Sequence, residues 1–452
     1  MKIFNFNVNI KVLEIIIIFS SIIKWVSISS LIGIIVATST FIFLKTLDFG
    51  IKITTSYNSY YLFMPIAFFI SSFLVNKLAP DAEGHGTEKV IESIHKHNGR
   101  INIKVVPVKL LATIITIISG GSAGKEGPSA QIGATLASYF SEKFKFNNID
   151  KKKIVICGIS AGFAAVFGTP IAGAIFAIEV LSIGKIFYNV ILPSIISATV
   201  AFEFSNYLGI EHFHSNISFS SKFTLALFVK TIFSGIFFGL VSLSLIEINN
   251  FFKKLSEKIN IYPPLKGILG GGLLVFITLI FSNKYLGLGM DVILNSIKGN
   301  ENTWYSFIIK IVTTCITLNF GGSGGILTPI FFIGATSGSF FANIFSLDMS
   351  MFSAIGLVAL LSASANTPIA ACIMSMEMFG SDITTYSAMA CIISFMMVGH
   401  RSVYPSQQLS FTKSSSLNVE FDSEIELINN SLKYKENSFI NKAKDIKDKF
   451  SK

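Results

Sequence analysis

The chain has 452 residues, 51% of them apolar and only 14% charged, with a mean hydropathy of +0.64. A soluble domain carries about a quarter charged residues, so this composition, with 44 Phe, excludes an ordinary soluble globular protein and makes lipid the main solvent. The net charge of +10 comes without a nucleic-acid-binding motif and reads as lysine bias of cytoplasmic loops, concentrated at Lys151-Lys152-Lys153 and after Ser410.

In chain order the predicted elements are apolar helices at Leu31–Leu44, Leu110–Ile118, Ile186–Val200, Leu225–Leu245, Gly267–Phe281 and Phe307–Leu318, with Lys230 and Lys310 the only charges inside them. A hydrocarbon core takes about 20 apolar residues. Several of these runs are shorter and some are broken by glycine, which predicts tilted, re-entrant or half-spanning helices buried in protein. The N-terminal stretch lacks a small-residue cleavage site, so no signal peptide is expected. Cys157, Cys315, Cys372 and Cys391 sit in apolar stretches without ligand spacing and read as small buried hydrophobes. The pairs His95/His97 and His212/His214 lie in polar connecting stretches, and no metal site is expected there. No Ser/His/Asp set or phosphate loop accompanies the apolar core, which argues against a membrane enzyme.

The most informative feature is an internal repeat. Gly120–Phe140 and Gly321–Phe341 match at eleven of twenty-one positions without a gap, at an offset of 201. Ala165–Val180 resembles Ala363–Met378 at an offset of 198. Two homologous halves are a transporter plan in which broken helices meet near the bilayer midplane; the repeat alone leaves the relative orientation of the halves open. Within Gly120–Pro128 the glycines let backbone approach a ligand, and Pro128 suits the start of a helix over Ser129–Phe140. Free N–H groups and the positive end of a helix dipole then make an anion site of backbone. Gly325-Ile326-Leu327-Thr328-Pro329, followed by Ile330–Phe341, repeats the arrangement. Partial charges suit conduction, which needs binding that also releases. Lys125 either raises the local potential or is a structural lysine. Glu126 is the odd residue: it either complements the dipole alone or competes with the anion, blocking the site when ionised and swinging out when protonated.

These motifs resemble the CLC family of chloride channels and proton-coupled chloride transporters. Gly124-Lys125-Glu126-Gly127-Pro128 resembles the family signature. Gly325-Ile326-Leu327-Thr328-Pro329 is similar to its second pore motif, with Leu where Phe is usual, and Val403-Tyr404-Pro405-Ser406 resembles the segment bearing the pore tyrosine. The likeness runs from about Pro80 to about Leu409. It implies an all-α integral membrane protein of two inverted-topology repeats of tilted, partly re-entrant helices, multi-pass in the cell membrane, with both termini cytoplasmic. It also implies a homodimer with one pore per subunit, transport of chloride, exchange with protons in some members, and neither enzyme activity nor a cofactor. Glu126 becomes the gate. His85, Gly124, Lys125, Gly127, Ile326, Leu327 and Tyr404 become the anion-site residues, and Pro128, Gly325 and Pro329 mark the helix starts. The expected division is a cytoplasmic segment 1–26, a membrane domain 27–409 (halves about 27–210 and 222–409) and a polar cytoplasmic tail 410–452.

Three departures from the family pattern stand out. The first motif here is Gly84-His85-Gly86-Thr87-Glu88, with His85 where the family has Ser and Glu88 where it has Pro; His85 can donate to the anion, tune the pH response or be passive. Val180 stands where proton-coupled members often carry a glutamate, while Glu179 beside it, and Glu377 in the second repeat, are expected to be structural. Valine cannot relay protons, which points to a channel or a weakly coupled carrier. Ser410–Lys452 is too short for the nucleotide-sensing domain pair of many relatives, as in prokaryotic members; a short amphipathic helix is expected near its end. Fluoride and nitrate are alternative cargoes: the block Ala165–Val180 also resembles the fluoride-exporting branch, whereas Pro128 argues for chloride because that branch tends to have Thr there.

Overall fold

The computed structural model describes residues 10–212 and 224–418, together with 421, 423–425, 427 and 433–434. Among them sixteen α-helices form two series of eight. The first series is α1 (Ile10–Thr55), α2 (Met64–Leu78), α3 (Thr87–Lys96), α4 (Val105–Ile118), α5 (Glu126–Lys143), α6 (Asn148–Phe167), α7 (Pro170–Glu179) and α8 (Tyr188–Tyr207). The second repeats it in order: α9 (Leu225–Lys258), α10 (Pro263–Phe281), α11 (Met290–Ile297), α12 (Ser306–Asn319), α13 (Leu327–Ile344), α14 (Met349–Ala365), α15 (Pro368–Phe379) and α16 (Thr384–Met397). The all-helical repeat architecture expected from sequence is present.

Among the described residues, six segments are long and apolar enough to cross a bilayer, and six other apolar helices have 10–17 residues. Length and burial divide the roles. The most apolar window of α1 is only 17% buried, whereas that of α13 is 83% buried. Ile15, Ile16, Ile17, Ile18 and Phe19 of α1 are exposed, a face suited to lipid. α1 runs unbroken through residue 26, so the N-terminal segment expected to end there is, from Ile10, part of this helix. No proline interrupts those 46 residues, and their apolar character continues across the expected boundary.

The same local signals start and stop equivalent helices. Asn147 caps α6 by accepting from the Asp150 amide at 2.8 Å, and Asp348 caps α14 by accepting from that of Met351 at 2.7 Å. α6 ends on Gly168 (φ 72°) and α14 on Asn366 (φ 54°), both left-handed, as helix C-termini favour. A Thr-Pro pair follows each, and the proline begins α7 or α15.

Equivalent residues bond reciprocally across the two halves. Gly124 and Gly325 form an antiparallel bridge, each amide donating to the other's carbonyl at 2.7 Å. The Ser122 amide donates to Thr317 Oγ1 at 3.0 Å, and the Ser323 amide to Thr116 Oγ1 at 2.9 Å. Glu179 accepts from the amides of Ile369 and Ala370, and Glu377 from those of Ile171 and Ala172, all at 2.8–3.0 Å. Only a two-fold relation produces such pairs. Equivalent segments run antiparallel where they meet, so the halves are inverted repeats.

The tail is not wholly free. Gln408–Leu409 pairs parallel with Ser182–Ile183 and antiparallel with Ser423–Glu424. Lys413 is buried, its Nζ donating to Asn366 Oδ1 at 2.7 Å and to the Phe395 carbonyl at 2.6 Å. A polar composition concealed this docking, because the anchor is a lysine whose charge is met by a carbonyl, an amide and the Phe395 ring at 3.7 Å. The amphipathic helix expected near the end falls outside the described residues.

Helix contact in the core depends on glycine. A Cβ on Gly158 in α6 would lie 2.7 Å from the Gly133 carbonyl carbon and 2.8 Å from Ala137 Cβ in α5; one on Gly334 in α13 would lie 2.7 Å from Leu357 Cα in α14. Small residues of this kind let membrane helices approach closely. Gly158→Val is expected to destabilise the fold by about 1–3 kcal/mol, the usual cost of overpacking. A lower thermal unfolding midpoint in detergent would register it; an unchanged midpoint would show that the crossing relaxes.

Candidate anion site

The two glycine-rich loops meet where α5 and α13 begin. Gly120 (φ 108°) and Gly321 (φ 87°) take backbone conformations that side chains resist, and the bridged glycines that follow deliver each chain to its helix. In the first turn of α13 the amides of Ile326, Leu327 and Thr328 precede any intrahelical acceptor, and Pro329 has no N–H to offer. Ile326 and Leu327 are buried, so these donors are sealed from water.

Glu126 fills that end. Its Oε2 accepts from the Thr328 amide at 3.2 Å and from Thr328 Oγ1 at 2.5 Å, and the residue is 1% exposed. A carboxylate therefore occupies the amide-lined start of the opposite half's helix, the position the repeat marks for an anion. Lys125 is the cation acting on it. Gly124 is required by the same geometry: a Cβ there would sit 2.6 Å from Glu126 Oε2 and 3.0 Å from the Thr328 amide nitrogen. Gly127 lies against the His85 carbonyl, and its amide is 2.9 Å from where a Cβ on Gly325 would stand. Pro128 completes the first turn of α5.

The first-motif loop and the tyrosine loop adjoin this centre. Tyr404 is 1% exposed; Thr87 is its polar side-chain neighbour, and the carboxylates of Glu88 and Glu126 are the charges acting on it. The Tyr404 amide donates to Ser402 Oγ at 3.0 Å, which in turn donates to Gln407 Oε1 at 2.6 Å. Gln407 Nε2 donates to the carbonyls of Val180 at 2.9 Å and Ala365 at 2.7 Å, fastening the loop to both halves. His85 Nδ1 is enclosed without a hydrogen-bond partner, and Lys109 and Lys253 are the charges facing the ring.

Two buried lysines hold the loops. Lys109 Nζ donates to the carbonyls of Ala82 at 3.0 Å and Gly84 at 2.7 Å. Lys310 Nζ donates to those of Tyr285 at 3.1 Å and Gly287 at 2.8 Å. Each fixes the approach to α3 or α11. Val180 is fully buried and apolar, and Glu179 beside it has both carboxylate oxygens engaged by α15 amides. The four cysteines are unpaired thiols. His95 Nε2 bonds to the Leu181 carbonyl at 3.0 Å and His212 Nε2 to Ser205 Oγ at 3.1 Å; His214 is outside the described residues.

Thus Glu126, Gly124, Gly127, Ile326 and Leu327 gather where the two helix starts meet, with Lys125 acting on the carboxylate, the carboxylate acting on Tyr404, and the His85 carbonyl packed against Gly127. Sequence reasoning passed over Thr328, which holds the carboxylate, and Glu88, Ser406 and Gln407. A signal existed for Thr328: it aligns with Gly127 in the first repeat (127 + 201), so a hydroxyl appears where the other copy has none.

A fold of two inverted helical repeats with paired helix starts and a carboxylate seated between them is that of a membrane anion-transport protein. The family model described as "Voltage gated chloride channel" matches residues 67–399. A chloride/fluoride channel protein of Pseudomonas syringae pv. tomato is 32% identical over 397 residues, covering 86% of this chain and 87% of its own. The H(+)/Cl(-) exchange transporter ClcA of Klebsiella pneumoniae is 27% identical over 350 residues, covering 71% of this chain and 72% of its own. Among solved structures, a CLC-type fluoride/proton antiporter superposes with a TM-score of 0.82 at 28% identity, covering 86% of this chain and 98% of the other. A slow cyanobacterial Cl-/H+ antiporter, at a TM-score of 0.74 and 18% identity over 83% of this chain and 94% of its own, shares the fold. The chain belongs to the voltage gated chloride channel family and is an integral membrane anion-transport protein of CLC type.

The Thr328 hydroxyl stabilises the ionised form of Glu126, and hydrogen bonds to charged groups contribute about 1.5–3 kcal/mol. Thr328→Val removes the hydroxyl and keeps the amide. Glu126 is then expected to take up its proton at a pH higher by about one to two units, since one unit is about 1.4 kcal/mol. The pH profile of anion flux in proteoliposomes measures this, and an unmoved profile would show that the hydroxyl contributes nothing to the titration of Glu126.

Proposed function

We propose that this protein conducts small halides, chloride and fluoride among them, along a path that Glu126 closes by occupying the start of α13. The observation that carries the reading is the pair of hydrogen bonds from Thr328 to the Glu126 carboxylate. The Thr328 amide and hydroxyl, which would help hold a dehydrated anion, hold this side chain instead. An anion and a carboxylate cannot share that end, because like charges repel and the dipole of one helix terminus amounts to about half a unit charge. Protonation removes the charge, weakens the grip of the amides and frees the site. His85, Lys125 and Tyr404 lie along the path that opens, in the assigned roles of donor, local positive potential and hydroxyl ligand.

Chloride was the cargo expected from Pro128. The names of the Pseudomonas syringae relative and of the structure superposing at 0.82 include fluoride, which supports admitting both halides. Assembly as a homodimer with one path per subunit, and cytoplasmic termini, belong to the same proposal. Val180 supplies no proton relay, so proton exchange through this protein needs a titratable group elsewhere.

Glu126→Gln is isosteric and cannot ionise. In proteoliposomes it is expected to carry chloride and fluoride at a rate nearly independent of pH, while the wild type slows as pH rises. A variant that retains the wild-type pH dependence would reject Glu126 as the gate, and wild-type protein that moves neither halide would reject the cargo.

A further inference from the structure

We propose that Lys413, in the tail beyond α16, is a positioning residue for Tyr404, holding the tyrosine's backbone through a continuous run of hydrogen bonds. The inference rests on the reading of Tyr404 as the hydroxyl ligand of the anion and extends the support of that ligand into the tail.

Lysine is almost never fully buried unless its charge and its donors are met. Lys413 is 8% exposed. Its Nζ donates to Asn366 Oδ1 at 2.7 Å and to the Phe395 carbonyl at 2.6 Å, with the Phe395 ring at 3.7 Å. Its amide donates to His400 Nε2 at 3.1 Å. Simple docking of the tail does not call for a lysine. Phe411, two residues earlier, already provides an apolar anchor, stacked on Phe395 and packed against Gly184. What Lys413 adds is donors, and the group that receives one of them leads to the tyrosine.

That group is the Asn366 side chain. Asn366 ends α14 in the left-handed conformation, and Gly168 aligns with it at the offset of 198 and ends α6 the same way. Glycine meets the backbone requirement alone, so the carboxamide in the second half serves something further. Its Nδ2 donates to the Arg401 carbonyl at 2.9 Å and to Gln407 Oε1 at 3.3 Å. Gln407 Oε1 also accepts from Ser402 Oγ at 2.6 Å, and Ser402 Oγ accepts from the Tyr404 amide at 3.0 Å. The Gln407 amide donates to the Tyr404 carbonyl at 3.1 Å. Both backbone polar groups of Tyr404 are thus held by residues that Asn366 braces.

The direction of each bond is dictated. Gln407 Nε2 is committed to the carbonyls of Val180 and Ala365, so Oε1 must face Ser402 and Asn366 as an acceptor. Asn366 must then present its NH2 to Gln407, and its oxygen is left needing a donor. Lys413 is that donor. Without it, a carboxamide turned end for end would set oxygen against oxygen. The tail touches the same turn again where the Ile425 amide donates to the Gln407 carbonyl at 3.0 Å. A ligand is only as well placed as the residues that support it, and for Tyr404 that support ends on Lys413.

The test is halide binding to the full-length protein in detergent, measured by isothermal titration calorimetry with chloride and, separately, fluoride. The proteins are the wild type, Lys413→Met, Tyr404→Phe and the double variant. Methionine keeps the apolar stem of lysine and removes its side-chain donors. Lys413→Met is expected to weaken binding by about threefold to tenfold, the cost of a loosened hydrogen bond to an anion. Tyr404→Phe is expected to weaken it at least as much. In the double variant the two losses are expected not to add, because the lysine acts through the phenol. Lost ammonium charge, or a tail that is merely loose, would weaken binding by the same factor with or without the phenol; that additive result overturns the proposal, as does wild-type affinity in Lys413→Met. If Lys413→Met fails to fold, Ser402→Ala cuts the last link and leaves the tail anchored. It must show the same non-additivity with Tyr404→Phe, and wild-type affinity or an additive loss in it overturns the proposal. Wild-type affinity in Tyr404→Phe is a separate failure: it rejects the phenol as a ligand, and the positioning role falls with it.

Discussion

Backbone that leaves helical geometry in the middle of a membrane must find its hydrogen bonds within the protein, and this structure meets that constraint by pairing its two halves. The bridge between Gly124 and Gly325 satisfies the amide and the carbonyl of both residues at once. Because each half supplies what the other lacks, neither loop is complete alone. The same economy appears at Ser122 with Thr317, Ser323 with Thr116, and in the carboxylates of Glu179 and Glu377 that cap the opposite half's short helix. Two helix starts are thereby held at a common centre.

Function enters where the repeat is broken. Lys109 and Lys310 do the same work in both halves, as do Glu179 and Glu377, so these buried charges belong to the scaffold. Glu126 aligns with Leu327, and Thr328 with Gly127. One half contributes the carboxylate and the other the hydroxyl that receives it. A symmetric scaffold with an asymmetric pair at its axis gives a single seat for a single charge. The first-motif loop departs again, with His85 against Leu288 and the enclosed Glu88 against the exposed Asp291.

Much of this was legible in the sequence. The offsets of 201 and 198 announced two halves, and the glycine-proline blocks announced helix starts with free amides. The short apolar runs announced helices that do not span. The partner of each group was not legible. Nothing local in Glu126 indicates that Thr328, 202 positions away, is its donor; that follows only once inversion brings the starts of α5 and α13 face to face. Lys310 read as a charge inside an apolar run, and its explanation is two carbonyls more than twenty residues upstream. The tail read as polar and free because composition does not register that Lys413 can be buried against Phe395 and Asn366.

The energetics show why a carboxylate suits the gate role proposed for Glu126. A buried ion is tolerated only with compensation worth several kcal/mol. For Glu126 that compensation is two bonds from Thr328, the start of α13 and the charge of Lys125, and the proposed halide would draw on the same donors. In the proposed mechanism the seat is contested by two species of equal charge, and the proton decides between them because it cancels one and not the other. A full cation at this point would hold either occupant too firmly to release. The interior lysines spend their hydrogen bonds on carbonyls instead, so they do not become ligands.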